Sequence, residues 1–140
     1  MNIDLQNNTL YHTVDQDNNR IPAFVLWYAK NDNNEWNWEL GLPHTEKYYQ
    51  HTDLTVLLKS TLQHILELTP TTLNQLEQLA LITQKYATDN PPYTTETALS
   101  CTVHENGELS WRTELVSGIS IHRTSEHTDL NICLENFMKT

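Results

Sequence analysis

Between Leu54 and Tyr86 the apolar residues recur three and four positions apart, while on either side of that stretch they alternate at every second position. The first spacing lines one face of a helix and the second lines one face of a strand. A chain ordered as strands, then helices, then strands must bury a helical stripe and a sheet face against each other. The expected fold is therefore a two-layer α+β domain, an antiparallel sheet packed on a helical hairpin, with the other sheet face open. At 140 residues the chain has the size of a single domain, 1–140, able to bury a core without metal or disulfide staples.

Three strands are expected before the helices. Leu10, His12 and Val14 alternate with polar neighbours, and Asp15 to Asn19 form a turn. Ile21 to Lys30 is apolar on both faces and reads as a central strand, with Pro22 confined to its start. After the Asn31–Asn34 turn, Trp36, Trp38, Leu40 and Leu42 share one face and Asn37, Glu39 and Gly41 the other. Pro43 to Thr52 reads as a polar-aromatic connection.

Thr52 or Asp53 is expected to cap a helix carrying Leu54, Leu58, Leu62, Ile65 and Leu66. Thr69-Pro70 should stop it, and Thr71 or Thr72 should cap a second helix carrying Leu73, Leu76, Leu79, Ala80, Ile82 and Tyr86. A short link makes the two an antiparallel hairpin. The remainder returns to period two in a four-strand meander. Leu99, Cys101 and Val103 face one way; Asn106-Gly107 is a hairpin turn; Leu109, Trp111, Thr113 and Leu115 share a face. Ile119 to Thr124 and Leu130 to Phe137 complete the expected strands. Neither an internal repeat nor a low-complexity tract stands out.

Charge narrows the partners. Eighteen acidic residues against eight basic ones give a net charge of −10. That balance disfavours nucleic acid and anionic membranes, which need clustered Lys and Arg, and suits a basic protein partner. The N-terminus lacks the basic and apolar regions of a signal peptide, and the run Ala23 to Ala29 is too short to cross a membrane, so a cytoplasmic location is expected. Cys101 and Cys133 allow one disulfide, but read more simply as two buried reduced thiols.

Catalytic and metal motifs are weak. His104, Arg112, Glu114 and His122 would meet on the open sheet face if their strands were adjacent, although any half-exposed sheet presents such a list. Cys101-x-x-His104 has zinc-like spacing, but an odd separation on a strand points the two side chains to opposite faces. Asp15-x-Asp17-x-Asn19 opens like a calcium loop yet has Arg20 and Leu26 where glycine and glutamate are required. No metal or cofactor is expected, and no enzyme. Asp15, Asp17, Glu39, Glu46, Tyr48 and Tyr49 remain as a candidate acidic, aromatic binding surface. The expectation is a small inhibitor or immunity-type protein, monomer or homodimer, that neutralises a basic partner such as a toxin. A dedicated chaperone or adaptor, using the apolar surface of Leu73–Tyr86, and a small enzyme using the C-terminal sheet face are the alternatives.

Overall fold

The computed structural model describes residues 23–43, 46–63, 66–89, 94–103 and 108–139. Among them, six strands and three helices follow the order β1 (Phe24–Lys30), β2 (Trp36–Leu42), β3 (Lys47–His51), α1 (Leu54–Leu62), α2 (Pro70–Asp89), β4 (Thr95–Val103), β5 (Leu109–Ser117), β6 (Ser120–His127) and α3 (Leu130–Lys139). The strands form one antiparallel sheet, β3-β2-β1-β4-β5-β6. The α+β expectation holds at that level. The expected strand at Leu10–Val14 and the Asn106-Gly107 turn lie outside the described residues.

Register decides which residues face the helices. Leu26 stands opposite Leu40 on one side and Thr97 on the other, Tyr28 opposite Trp38, and Cys101 opposite Trp111. Those residues, with Phe24, Leu99, Leu115 and Thr113, form the inner face. Most of them join the core with Leu57, Leu58 and Leu62 of α1, Leu76, Leu79 and Ala80 of α2, and Leu130, Cys133, Leu134 and Phe137 of α3. Each buried leucine contributes about 1.5–3 kcal/mol relative to exposure.

Several sequence expectations are corrected here. Lys47–His51 is a strand, not a connection: Tyr49 pairs with Leu40 and Tyr48 with Gly41, although all five residues are exposed at the sheet edge. Leu130–Phe137 is a helix, not a strand, so the C-terminal meander has three strands rather than four among the described residues. Leu130, Ile132 and Leu134 alternate as on a strand, but Leu130, Cys133, Leu134 and Phe137 also fit helical spacing, and those four are the buried ones. Asp129 settles the choice locally: its Oδ1 accepts from the Ile132 amide and its carbonyl accepts from the Cys133 amide. Finally, α1 and α2 do not form a closed hairpin pair. Helix α1 ends at Leu62 and lies over β2 and β3, whereas α2 spans β1, β4 and β5 and meets α3. The cap of α2 is Thr69 rather than the expected Thr71 or Thr72: its Oγ1 accepts from the Thr72 amide, and Pro70 takes the first helical position, where its missing N–H is harmless.

The two halves repeat one plan. β1-β2-β3-α1 and β4-β5-β6-α3 are each a three-strand meander followed by a helix, and β1 meets β4 at the centre of the sheet. Phe24 opposite Leu99 and Leu26 opposite Thr97 are equivalent pairs under a local two-fold axis. Trp38 opposite His51 matches Trp111 opposite His127. The motif His-Thr-Asp-Leu occurs at both strand-to-helix junctions, 51–54 and 127–130. At each, the histidine Nδ1 accepts from the aspartate amide, at 2.7 Å for His51–Asp53 and 2.9 Å for His127–Asp129, and the aspartate caps the helix. α2 bridges the halves. Its Thr83 hydroxyl bonds the Leu79 carbonyl and lies 2.6 Å from the Thr97 hydroxyl.

Candidate functional site

The helices cover one face of the sheet, and the chemistry gathers on the other. Strand alternation sends Trp27 of β1, Glu39 and Gly41 of β2, Tyr48 and Gln50 of β3, and Glu96 of β4 to that outer face. Trp27 is the direct partner of Glu39 on one side and of Glu96 on the other, so the three form a row across β2, β1 and β4. The Trp27 indole Nε1 donates to Glu96 Oε2 at 3.1 Å. Its ring crosses Gly41, where a Cβ would stand 3.0 Å from Cζ3 and 3.1 Å from Cη2. The absence of a side chain at Gly41 is therefore what lets the indole lie along the sheet.

Tyr48 stands beside the indole, its ring centroid 6.2 Å from that of Trp27. Gln50 Nε2 donates to Glu39 Oε1 at 3.0 Å and to the Tyr48 hydroxyl at 3.1 Å. Burial, followed by a hydrogen bond with the Glu39 carboxylate, holds the Tyr48 phenol above its ordinary value of 10.0. Asn37 continues this strand face two residues before Glu39. It is 6% exposed, and its Oδ1 has no hydrogen-bond partner among the described residues.

The outer face of the second half is built differently. Arg112 occupies the position equivalent to Glu39 and donates through Nε to Glu114 and through Nη1 to Glu126, which also accepts from the Ser110 hydroxyl. Those two acids share one arginine and are partly compensated within the sheet. Glu39 and Glu96 instead meet neutral donors, Gln50 and Trp27. Among the described residues, negative charge without an ion-pair partner on this face therefore lies around Trp27.

The structure sorts the residues singled out from the sequence. Glu39 and Tyr48 come together on the outer face. Tyr49 alternates to the inner side of β3, beside α1, and is separated from them. Glu46 is exposed in the β2–β3 turn with a left-handed φ of 56°. Asp15 and Asp17 lie outside the described residues. Of the four residues weighed as an acid–base set, Arg112 and Glu114 are bonded on the outer face, and His122 is not with them. An irregularity between Leu115 and Val116 inserts His122 into β6 as a bulge, and its ring lies 5.3 Å from Tyr86 of α2. His104 is outside the described residues. Among the described residues no group of three or more His, Cys, Asp or Glu is placed to hold a metal ion. Cys101 and Cys133 are buried thiols that are not joined in a disulfide.

Sequence reasoning missed Gln50 and Glu96 and did not assign Trp27 to a face. Trp27 was hidden in a run apolar on both faces, yet its parity differs from Phe24, Leu26 and Tyr28, and the strand glycine Gly41 marks the ring's resting place. The apolar surface of Leu73–Tyr86, which a chaperone would expose, is largely used in the core, with Leu76, Leu79 and Ala80 buried. No helix among the described residues is long and apolar enough to cross a membrane. Comparison with family models, with curated proteins and with solved structures finds no match to this chain.

Proposed function

We propose that the chain is a small, acidic, cytoplasmic protein-binding module of the inhibitor or immunity type, without catalytic activity, that captures a basic protein such as a toxin on the outer face of its sheet. One observation carries this reading: Glu39 and Glu96 flank Trp27 in a single cross-strand row with no cationic partner among the described residues, whereas Glu114 and Glu126, the acids on the outer face of the other half, share Arg112. An arginine or lysine of a partner would supply the missing charge and meet the Trp27 and Tyr48 rings. Tyrosine and tryptophan supply rigid anchoring area, and complementary charge speeds encounter. The test begins with affinity capture from the native source and continues with association kinetics of the captured protein. A basic partner whose association slows at least tenfold with Glu39→Lys/Glu96→Lys, and with rising salt, is the expected result. Association unaffected by both changes overturns the assignment.

A further inference from the structure

A concavity lies on the helix side of the sheet, away from the Trp27 cluster. It is a cleft of about 420 Å³ lined by Ile82, Lys85, Tyr86 and Asp89 of α2 and by Arg123 of β6. That volume falls in the range of small-molecule sites, roughly 300–1,000 Å³. Three features distinguish it from ordinary surface relief.

The first is its charge. The chain as a whole carries an excess of acid, yet two of its eight basic residues face this one cleft against a single carboxylate, Asp89. Lys85 enters no ion pair among the described residues. The second is the fixing of Arg123. Its Nη1 donates to the carbonyls of Phe137 at 2.9 Å and Met138 at 3.3 Å, at the end of α3, and its guanidinium lies 5.8 Å from the Phe137 ring centroid. A guanidinium has five N–H donors, so a group anchored through one nitrogen is pre-positioned to present others. The third is the wall. Ile82 and Tyr86 supply apolar and aromatic surface, and the β6 bulge brings His122 against Tyr86 on the same side.

We infer that this cleft binds a small organic carboxylate, its charged end between Lys85 and Arg123 and its planar apolar body against Ile82 and Tyr86. The net lining charge of one positive unit matches a monoanion, and Asp89 would repel the second charge of a phosphate dianion. Arg–carboxylate geometry provides the directional contact, and the apolar wall selects a carbon skeleton over a bare anion. The site is independent of the protein-binding reading and stands or falls without it.

The experiment is an NMR titration of the full chain with sodium benzoate, alongside benzylamine hydrochloride and inorganic phosphate. Benzoate is expected to move the Tyr86 ring and Arg123 Nε–H resonances with a dissociation constant on the order of millimolar, as suits so small a ligand. Lys85→Gln, at an exposed position, should weaken benzoate binding at least fivefold while leaving the rest of the spectrum in place. The inference is overturned by unmoved Tyr86 and Arg123 signals, by equal binding to the Lys85→Gln chain, or by benzylamine binding as well as benzoate. Phosphate binding as tightly as benzoate would show the apolar wall to be inert and overturn the organic class of ligand.

Discussion

Trp27 and Glu96 are direct cross-strand partners at the junction of the two halves, and the indole Nε1 donates to the carboxylate at 3.1 Å. The bond ties the first half's aromatic cluster to the first strand of the second half. It satisfies the only polar atom of the indole and turns its ring along the sheet over Gly41. A carboxylate that accepts from a neutral N–H keeps its full charge, so the same contact orients the ring and leaves negative potential beside it.

Charge reversal should therefore act unequally across the outer face. Glu39→Lys and Glu96→Lys reverse acids that have no ion-pair partner among the described residues and should each slow association with a basic partner several-fold at low salt. Glu114→Gln alters an acid already held by Arg112 and should change association by less than twofold. Stopped-flow association at two ionic strengths measures the contrast; equal effects at all three positions would contradict it.

Gly41→Ala sets two effects against each other. Replacing glycine inside a strand with alanine gains about 0.5–1 kcal/mol in backbone terms. The new Cβ would stand 3.0 Å from the Trp27 ring, and overpacking of that kind costs about 1–3 kcal/mol. The expected balance is a net loss on the order of 1 kcal/mol by urea denaturation, accompanied by a shift of the Trp27 Nε1–H resonance as the ring moves. A stabilised variant with an unmoved indole signal would mean that the ring yields without strain.

Tyr48 provides a titration signature. Its phenol is raised above 10.0 by burial first and by its hydrogen bond with Glu39 second. Because the folded pKa lies above the unfolded one, the associated stability is complete below pH 10 and is lost as pH rises through the folded value. Ultraviolet difference titration against Tyr48→Phe should place this phenol above 10. Glu39→Gln should lower it part of the way, since the burial remains. A phenol titrating at the ordinary value in the parent chain would remove Glu39 and Tyr48 from a common site.

Much of the fold was legible because periodicity records burial. The alternation of Trp36, Trp38, Leu40 and Leu42 and the stripe of Leu73, Leu76, Leu79 and Ala80 point to surfaces that the core uses, although Trp36 remains 37% exposed at the sheet end. Lys47–His51 gave no such record, since an edge strand with five exposed residues has no apolar face to show. Leu130–Phe137 satisfied both periods at once, and the deciding signal was the cap. That signal was present twice, as His-Thr-Asp-Leu before α1 and before α3. The site was legible only in part. Glu39 and Tyr48 could be named from composition, but Glu96 lies 69 positions from Trp27 and is joined to it only by strand pairing.

The last prediction concerns how α2 is held to the sheet. Thr83 Oγ1 donates its one proton to the Leu79 carbonyl at 3.0 Å, so the 2.6 Å contact between the two hydroxyls must have Thr97 as donor. Both side chains are fully buried. Thr83→Val then strands the Thr97 O–H without an acceptor and should cost about 1–3 kcal/mol. Thr97→Val removes a donor but leaves the Thr83–Leu79 bond intact, and valine suits a strand, so it should cost under about 1 kcal/mol. The double variant removes both hydroxyls and should be less destabilised than Thr83→Val alone. Urea denaturation of the three variants forms a double-mutant cycle. Equal costs for the two single changes, or a double variant worse than Thr83→Val, would refute the donor assignment and with it this account of how α2 is seated.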